Sequence, residues 1–244
     1  MKKLKDLFWF IFDILLPPRC LICRKTVYKE NGLCSKCFNQ IHFFSEQCCP
    51  VCGRPYTFPV ENSKQLICAK CLNNPPKIKA LKAVFAYDDF SKSLILPFKH
   101  ADRTDVVPYL TKLMYRRGKE LLSECDYIIP VPLHWKRLIK RKYNQSALLA
   151  VGLEKMSHKT CLLTTLKRRK NTTSQGHKTK EERKKNVKDM FYVTNATDIE
   201  GKSIILIDDV YTTGATLNEC AKVLLKAGAK QVTALVIARV SYFE

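Results

Sequence analysis

The stretch Ile204-Ile205-Leu206-Ile207-Asp208-Asp209-Val210-Tyr211-Thr212-Thr213-Gly214-Ala215-Thr216 carries four apolar residues into two carboxylates and a short polar turn. An uninterrupted run of Leu and β-branched residues is typical of a strand buried on both faces of a parallel sheet. Apolar residues then recur at helical spacing up to Gly228, namely Leu217, Cys220, Ala221, Leu224 and Leu225. The amides of such a turn and of a helix N-terminus favour a bound anion. The stretch therefore predicts a strand–turn–helix phosphate site, whose two carboxylates meet the hydroxyls or the metal of a phosphorylated sugar.

The charge of the 244-residue chain is strongly positive, with 43 Lys and Arg against 22 Asp and Glu and a net charge of +21. A field of this sign attracts polyanions, so nucleic acid, phosphorylated metabolites and acidic membranes are the candidate partners. The charge is clustered, because residues 134–185 hold 16 Lys and Arg and only three acidic residues. The hydrophobic fraction of 46% excludes a largely disordered chain. The length allows one α/β domain and a small accessory module.

The N-terminal residues 1–18 form an apolar segment with helical spacing, at Leu4, Leu7, Phe8, Ile11, Ile14 and Leu15. The segment is too short to span a bilayer and contains Asp13. A signal peptide is disfavoured because no small-residue cleavage site precedes Pro17-Pro18. We therefore expect a helix that docks on the body of the protein, with a peripheral membrane anchor through residues 4–15 as the alternative.

Nine of the twelve cysteines fall in the first 71 residues, and eight of them form Cys-x-x-Cys pairs: Cys20/Cys23, Cys34/Cys37, Cys49/Cys52 and Cys68/Cys71. Two such pairs supply the four thiolates of a tetrahedral structural zinc site, so the spacing predicts two Zn²⁺ ions. Sequential pairing is the simplest arrangement, but interleaved pairing stays open, as does Cys48 in place of Cys49. A disulfide framework would need an oxidising compartment to which the chain shows no clear route. We therefore interpret residues 19–76 as a double zinc-ribbon module that folds on metal binding.

Residues 77–244 carry the pattern of the α/β domain. Tyr127–Pro132 is interpreted as the first main strand, and a dense basic loop, His134–Gln145, follows it. Because open α/β sheets bind ligands at the carboxyl ends of their strands, this loop is a candidate pyrophosphate site. Leu162-Leu163 is expected to begin a strand, and Lys167–Lys178 to be a mobile polar segment before a helix over Thr179–Val187. Further strands are expected at Ala83–Tyr87, Phe191–Val193 and Gln231–Val240, and helices at Ser91–Lys99 (interrupted by Pro97), Val106–Leu122 and Gln145–Met156.

The stretch Asp208–Thr216 resembles the phosphoribosyl pyrophosphate (PRPP) signature of type I phosphoribosyltransferases. The whole chain is similar to the ComF/GntX family of competence-associated phosphoribosyltransferase-like proteins. Besides the cysteine pairs, the likeness lies in Leu16-Pro17-Pro18-Arg19-Cys20, Val131-Pro132-Leu133, Arg141-Lys142-Tyr143-Asn144-Gln145, Gln175 and Glu182-Arg183-Lys184-Lys185-Asn186-Val187. The resemblance implies an α/β fold with an open, mainly parallel sheet of the type I phosphoribosyltransferase kind, preceded by a small double zinc-ribbon module.

The resemblance also implies roles for individual residues. Asp208 and Asp209, the candidate catalytic pair, would hydrogen-bond the ribose hydroxyls. Mg²⁺ and basic residues would stabilise the leaving pyrophosphate. The segment around Thr173, Gln175 and Lys178 would close over the site. The implied PRPP-binding residues are Val210, Tyr211, Thr212, Thr213, Gly214, Ala215 and Thr216 around the 5′-phosphate, Lys136, Arg137 and Arg141 at the pyrophosphate, and Gln175 and Lys178 in the closing segment.

Two departures from the enzymes restrict the functional hypothesis. Thr212 stands where purine-salvage enzymes carry an acidic general base, and Tyr211 is bulkier than the aliphatic residue usual at its position in biosynthetic enzymes. In addition, no segment is recognisable as a hood that reads a nucleobase, although the cysteine module or residues 83–99 could serve. We therefore expect a cytoplasmic protein that binds PRPP–Mg²⁺, has an unknown acceptor and acts in DNA uptake and natural competence, with competence-machinery proteins as further partners. The alternatives are a PRPP-sensing regulator without turnover and a single-stranded DNA-binding protein that uses Lys167, Arg168, Arg169 and Lys170.

Overall fold

The computed structural model describes residues 17–28, 31–61, 63, 65–100, 103–169 and 190–240. The strands are β1 Leu81–Ala86, β2 Tyr127–Pro130, β3 Thr160–Cys161, β4 Leu166–Arg168, β5 Phe191–Val193, β6 Ser203–Tyr211 and β7 Gln231–Arg239. The helices are α1 Ser35–Asn39, α2 Ala69–Asn73, α3 Asp89–His100, α4 Val107–Glu124 (after a 3₁₀ turn, Thr104–Val106), α5 Trp135–Arg141, α6 Gln145–Ser157 and α7 Ala215–Lys226. The predicted N-terminal helix, the closing segment with Gln175 and Lys178, and the predicted helix Thr179–Val187 lie outside the described residues.

The main sheet is parallel throughout, in the order β1-β7-β6-β2-β3. Its longest pairing joins β6 to β7, from Ser203 opposite Gln231 to Tyr211 opposite Arg239. The apolar run at the start of β6 is buried, as the sequence predicts. The strand does not end at Ile207, however, because it continues through both carboxylates to Tyr211. The open parallel α/β fold is confirmed.

Two apolar layers cover the sheet, because successive side chains of a strand point to opposite faces. Ile205 and Ile207 of β6 face one layer, and Ile204 and Leu206 face the other. The first layer is built from α3, α4 and α6, through Leu94, Phe98, Leu110, Met114, Leu149 and Leu153 among others. The second is built from α7 and the β4–β5 hairpin, through Leu217, Cys220, Leu224, Leu166 and Phe191 among others.

The chain leaves the two central strands in opposite directions. From β2 it passes through α6 to the edge strand β3, whereas from β6 it passes through α7 to β7 on the other side. A crevice opens at such a reversal, outside the carboxyl ends of the strands, and open α/β sheets bind their ligands there. Here the reversal brings the end of β2 next to the carboxylates of β6.

The cysteine-rich segment covers the edge of the sheet beside β1. The amide of Phe44 donates to the carbonyl of Val84 (2.9 Å), and the amide of Ala86 donates to the carbonyl of His42 (2.9 Å). Arg117 of α4 reinforces this contact through hydrogen bonds to the carbonyls of Ser45 (2.7 Å) and Ala83 (3.1 Å). An exposed edge strand is thereby blocked from pairing with another chain.

The prediction that His134–Gln145 is a basic loop is wrong in one respect, because residues 135–141 form helix α5. The His134 side chain accepts a hydrogen bond from the amide of Lys136 (3.2 Å) and so caps the helix, while Lys142, at φ 62°, ends it in the left-handed conformation. The apolar residues Trp135, Leu138 and Ile139 are largely exposed, so no core-facing stripe marks this helix in the sequence.

Four smaller expectations also need correction. The first strand of the sheet is β1, and the strand predicted at Tyr127–Pro132 ends at Pro130. The strand expected to begin at Leu162-Leu163 is instead Thr160–Cys161, which pairs with Tyr127 and Ile128. Pro97 does not interrupt α3, which runs through it to His100. The predicted mobile segment Lys167–Lys178 begins later than expected, because Lys167 and Arg168 lie in strand β4. The remaining predicted helices and strands lie within two residues of their observed bounds where the structure describes them.

Candidate functional site

The two predicted ribose-binding carboxylates lie side by side at the carboxyl end of β6. Asp208 Oδ1 accepts hydrogen bonds from Ser146 Oγ (3.0 Å), in the first turn of α6, and from the amide of Asp209 (2.9 Å). Asp209 Oδ2 lies 3.1 Å from Lys99 Nζ, at the C-terminal end of α3. Each carboxylate is therefore positioned by a different helix, and the pair marks the centre of the crevice.

Asp208 holds its proton to a higher pH than an ordinary aspartate does. Burial, and then the negative charge of Asp209, raise the pKa of Asp208 to about 7, although the Asp209 amide and the Ser146 hydroxyl oppose the shift. Two carboxylates that share a partly desolvated site cannot both ionise easily. Groups with perturbed pKa values cluster at functional sites, so this carboxyl is a candidate binding or catalytic group on physical grounds.

Cationic side chains gather beside the acidic pair. Arg141, at the end of α5, donates through Nη1 to Gln145 Oε1 (3.2 Å). Burial lowers the pKa of Arg141, whereas the negative charge of Asp209 works against this shift. Burial, followed by the charges of Arg141, Lys140, Lys99 and Arg137, also lowers the pKa of His100. These four cations thus act on one place, which is the electrostatic environment that a pyrophosphate group needs.

The other two predicted pyrophosphate residues lie on the exposed surface of α5. Lys136 Nζ lies 5.7 Å from the ring centroid of Trp135. After burial, the charge of Arg137 contributes to the lowered pKa values of Arg141 and Arg168, so Arg137 lies near both guanidinium groups. Lys136, Arg137 and Arg141 therefore share one short helix, with Arg141 nearest the carboxylates.

The predicted phosphate loop turns sharply at Gly214, whose φ of +84° favours glycine. A Cβ atom built at this position would clash with Tyr211 Oη, so only glycine fits against the Tyr211 ring. Thr212, Thr213, Ala215 and Thr216 are exposed, and Gly214, the residue before α7, has no side chain that could cap the helix. Thr213 Oγ1 accepts from the amide of Ala215 (3.4 Å), whereas the next amides of the first turn have no partner within the helix and are open to an anion. Val210 is partly buried and Tyr211 is buried, and both residues support the loop from the end of β6.

The β4–β5 hairpin brings further cations toward α5. Arg168 Cζ lies 5.5 Å from the Phe191 ring, and Arg169 Cζ lies 5.7 Å from the Tyr192 ring. Burial, followed by the charge of Arg137, lowers the pKa of Arg168. Within the described residues Arg168 Nε is buried without a hydrogen-bond partner. The hairpin therefore extends the positive surface of the site, although Lys170 lies outside the described residues.

The cysteine pairs form two four-thiol clusters, Cys20/Cys23/Cys34/Cys37 and Cys49/Cys52/Cys68/Cys71, each with all sulfurs within 4.8 Å of one another. The sulfurs of Cys23 and Cys34 are 3.7 Å apart, as are those of Cys52 and Cys68. Four thiolates that lie about 2.3 Å from a tetrahedral zinc ion are separated by about 3.8 Å, whereas a disulfide needs about 2.05 Å. The clusters therefore fit structural Zn²⁺, and the pairing is sequential.

Backbone amides are aimed at the thiols in both clusters. The amide of Cys34 lies 3.4 Å from Cys20 Sγ, and the amide of Cys68 lies 3.5 Å from Cys49 Sγ. Burial works to raise the pKa of Cys20, but hydrogen bonds from backbone amides outweigh it and lower the pKa to about 6. The hydrogen bond from Cys52 lowers the pKa of Cys49 to about 4. In the same clusters burial raises the pKa values of Cys37 and Cys71, and the hydrogen bond with Cys49 raises that of Cys52. Metal binding must therefore displace protons from these thiols, because thiolates are the form that binds metal.

Cys48 is not a ligand. Its sulfur lies outside the second cluster and 3.4 Å from Arg117 Nη2, and burial raises its pKa. Its backbone pairs with Pro55 across the turn that contains Cys49 and Cys52. The alternative that the sequence leaves open is thus resolved in favour of Cys49.

Two side chains of the site are absent from the sequence-based prediction. Lys99 pairs with Asp209 although the two are far apart in the sequence, and no local pattern announces the contact. Ser146 follows Asn144 and Gln145 directly. Asn144 donates through Nδ2 to the carbonyl of Val131 (3.0 Å) and accepts from the amide of Ser146 (3.1 Å), which fixes the start of α6 beside β2. A small hydroxyl residue at a helix start after a strand is the signal that could have indicated Ser146.

Comparison with known proteins gives matches over both parts of the chain. The family described as Double zinc ribbon domain matches residues 11–74, and the Phosphoribosyl transferase domain matches residues 148–241. Competence protein F of Haemophilus influenzae is 31% identical over 228 residues, which cover 91% of this chain and 96% of that protein. DNA utilization protein YhgH of Shigella flexneri is 31% identical over 225 residues, 90% of this chain and 96% of that protein. The solved structure of orotate phosphoribosyltransferase from Aeropyrum pernix covers 57% of this chain and 63% of its own, at 20% identity and a TM-score of 0.37.

Fold, thiol clusters and matches together define a protein of the phosphoribosyltransferase fold that carries an N-terminal double zinc ribbon. The chain belongs to the ComF/GntX family of competence-associated, type I phosphoribosyltransferase-like proteins. Among the helices in the described ranges, none is long and apolar enough to cross a membrane.

Proposed function

We propose that this protein binds PRPP together with Mg²⁺ in the crevice at the carboxyl ends of β2 and β6. The 5′-phosphate lies against Thr212–Thr216, the ribose hydroxyls against Asp208 and Asp209, and the pyrophosphate against Lys136, Arg137 and Arg141. One observation carries the proposal: acidic and basic side chains lie next to each other at this place. Asp209 is paired to Lys99, and the charge of Asp209 also acts on the neighbouring Arg141. A ligand with hydroxyls at its centre and phosphates at both ends matches this arrangement.

Mg²⁺ enters the proposal as part of the ligand. It prefers oxygen ligands and is usually held by one or two carboxylates together with substrate phosphates. The acidic pair of β6 supplies the carboxylates, and the pyrophosphate supplies the remaining charge. Closure of the segment around Gln175 and Lys178 over this ligand remains a prediction for residues outside the described part.

Binding is better supported than transfer. Thr212, at the position of the acidic general base of purine-salvage enzymes, is an exposed hydroxyl. Asp208 has a pKa of about 7 and could accept a proton near neutral pH, so turnover with an unidentified acceptor is kept within the proposal. A PRPP-sensing regulator would differ in one respect, because it would never release pyrophosphate.

We place this activity in DNA uptake, because relatives that match nearly the whole chain are called competence protein F and DNA utilization protein YhgH. The proposed setting is the cytoplasm, with protein partners from the competence machinery. A peripheral membrane contact through residues 4–15 is part of the same proposal.

The proposal is tested by calorimetric titration of PRPP with and without Mg²⁺. We expect the double variant Asp208→Asn/Asp209→Asn to lose about 100-fold in affinity, since two charge-assisted contacts disappear. Asp126→Asn is the matched control, because Asp126 accepts from the amide of Ser203 (2.7 Å) at the opposite end of β6. Equal PRPP affinity in the wild type and the double variant would sink the proposal. A pyrophosphate-release screen over amine and base acceptors then separates an enzyme from a regulator.

A second candidate, single-stranded DNA binding, is favoured by the β4–β5 hairpin. It places Arg169 over Tyr192, which is 36% exposed, whereas the Phe191 ring under Arg168 is buried in the core. An exposed basic residue beside an exposed aromatic ring suits a single strand. The variant Lys167→Gln/Arg169→Gln removes two exposed cations and should flatten the salt dependence of affinity by about 1.4 in log–log slope. The control Lys226→Gln/Lys230→Gln removes the same charge from two exposed residues between the end of α7 and the amino end of β7. If both double variants change the salt dependence of DNA affinity equally, the hairpin is only a solvated surface.

A further inference from the structure

Arg239, the last residue of β7, is a buried cation with an unusual set of partners. It is only 6% exposed. Its Nε donates to the carbonyl of Cys52 (2.9 Å), its Nη1 donates to the carbonyl of Val240 (3.0 Å), and its Nη2 lies 3.9 Å from Cys52 Sγ. Within the described ranges no carboxylate forms an ion pair with it. A buried charge needs a partner of opposite sign, and in the described part of the chain the candidate is the second thiol cluster, whose Cys52 it contacts.

The zinc-loaded cluster can supply that partner. Four thiolates around one divalent ion leave two negative charges in excess, and Cys52 is one of the four ligands. Within the described residues, the arginine beside the first ribbon does not depend on its cluster in this way. Arg103, which donates to the carbonyl of Leu21 (3.2 Å) in the first ribbon, is already neutralised by Asp105 through two hydrogen bonds of 2.7 and 2.8 Å.

On its other side Arg239 reaches the phosphate loop. Its Cζ lies 5.3 Å from the centroid of the Tyr211 ring, within the range of a cation–π interaction. The same ring fills the space next to Gly214, where an added Cβ would lie 2.6 Å from Tyr211 Cζ. A second contact also joins the ribbon module to the segment after the phosphate loop. The amide of Lys77, just after the second ribbon, donates to Asn218 Oδ1 (2.6 Å) in the first turn of α7. Cys52, Arg239, Tyr211 and Gly214 thus form one continuous chain of contacts.

We infer that Arg239 is a positioning residue through which zinc in the second cluster sets the conformation of the phosphate loop. Zinc holds Cys52, the backbone and sulfur of Cys52 hold the guanidinium, and the guanidinium holds the Tyr211 ring beneath Gly214. The loop amides then stay directed at the 5′-phosphate. This inference rests on the proposed function, and it adds that 5′-phosphate affinity depends on the second zinc ion and not on the first.

The test separates the two ends of the ligand. Ribose 5-phosphate and inorganic pyrophosphate are titrated separately into wild type, Arg239→Met and Arg239→Lys, and zinc release to a chromogenic chelator is followed in each. We expect Arg239→Met to bind ribose 5-phosphate about tenfold more weakly, to bind pyrophosphate within twofold of wild type, and to release one zinc ion faster. Arg239→Lys should recover part of both effects. Arg103→Met, the matched control at the first ribbon, should leave ribose 5-phosphate affinity unchanged.

Tyr211→Leu keeps the test decisive if Arg239→Met fails to fold, since it breaks the chain of contacts on the side away from the metal. It should weaken ribose 5-phosphate binding without changing zinc release. Wild-type affinity for ribose 5-phosphate in Arg239→Met or Tyr211→Leu overturns the inference and leaves the proposed function standing. A wild-type protein that binds neither PRPP nor ribose 5-phosphate overturns both.

Discussion

Lys99 and Asp209 form an ion pair, 3.1 Å from Nζ to Oδ2, that joins the end of helix α3 to the carboxyl end of the central strand β6. Both side chains are largely buried, with exposures of 16% and 15%. One carboxylate of the proposed ribose site is therefore already engaged when no ligand is bound. A ligand that uses Asp209 must exchange with Lys99 or share the carboxylate with it.

Replacing Lys99 by Gln should affect the two parts of PRPP differently. The lost charge is one of those around the pyrophosphate site, so we expect PRPP affinity to fall about tenfold. Affinity for ribose 5-phosphate should not fall, because Asp209 is released to accept from a ribose hydroxyl. Calorimetry with both ligands measures the difference.

Lys92→Gln is the control for this change. Lys92, like Lys99, lies in α3 and pairs with an aspartate, but its partner is Asp89 (2.6 Å) on the exposed surface of the same helix. It should bind both ligands as the wild type does. An equal loss of both ligands in Lys99→Gln would mean that the ion pair only supports the fold.

The raised pKa of Asp208 predicts a pH dependence of stability. Its folded value of about 7 lies above the ordinary value of about 3.9, so protonation favours the folded state. This contribution is fully present below pH of about 4 and is lost as the pH rises through about 7. Asp208→Asn imitates the protonated form, so at pH 8 it should be more stable than the wild type, on the order of 2 kcal/mol by urea denaturation. An unchanged difference in stability between pH 4 and pH 8 would contradict the assignment.

The same pKa predicts that ligand binding releases a proton. Ribose hydroxyls donate to the ionised carboxylate, so PRPP affinity should rise as the pH increases from 6 to 8 (about one unit on each side of the pKa). Burial lowers the pKa values of His100 and His134, and their protonation near a phosphate would act in the opposite direction. Titration in two buffers of different ionisation enthalpy counts the protons, and Asp208→Asn should abolish the release.

The tight turn at Gly214 predicts a loss of phosphate binding on substitution by alanine. Gly214→Ala adds a clash with the Tyr211 ring to the backbone strain of a positive φ. Gly201→Ala is the control, since φ there is +68° but nothing lies within 4 Å of the added Cβ. Both variants should lose about 1–2 kcal/mol of stability to backbone strain. Only Gly214→Ala should also lose ribose 5-phosphate binding, and equal binding by both variants would argue against a phosphate at this loop.

Zinc content tests the assignment of the second cluster. Cys49→Ser removes a ligand and should leave about one zinc ion per chain, with lower thermal stability because structural zinc contributes to folding. Cys48→Ser changes a thiol beside Arg117 and should retain both ions. Plasma emission spectroscopy on the purified variants measures the stoichiometry. Loss of zinc from Cys48→Ser would reverse the assignment.

Local patterns in the sequence suffice for much of this structure. The run from Ile204 to Ile207 and the helix after it are specified by neighbouring residues, and the Cys-x-x-Cys spacing alone indicates two metal sites. The choice between Cys48 and Cys49 is different, because it depends on which thiol the turn directs inward, and the pairing of Cys48 with Pro55 decides this.

Contacts between distant segments escape this kind of prediction. Helix α5 is not recognisable in the sequence, because its apolar residues Leu138 and Ile139 face solvent instead of a core. The pairs Lys99–Asp209 and Arg239–Cys52 arise only from the order of the strands and from the docking of the second ribbon. Neither pair leaves a periodic signal. The two carboxylates and the basic residues of α5 are therefore predictable from the sequence, whereas Lys99 and Arg239 require the fold.

The most direct test of the central claim is a crystal structure of the full chain with PRPP and Mg²⁺. The proposal predicts the 5′-phosphate within hydrogen-bonding distance of the amides of Thr213–Thr216. It also predicts the ribose hydroxyls on Asp208 and Asp209 and the pyrophosphate beside Arg141. A ligand bound elsewhere, for example on the β4–β5 hairpin with the Asp209–Lys99 pair undisturbed, would contradict it.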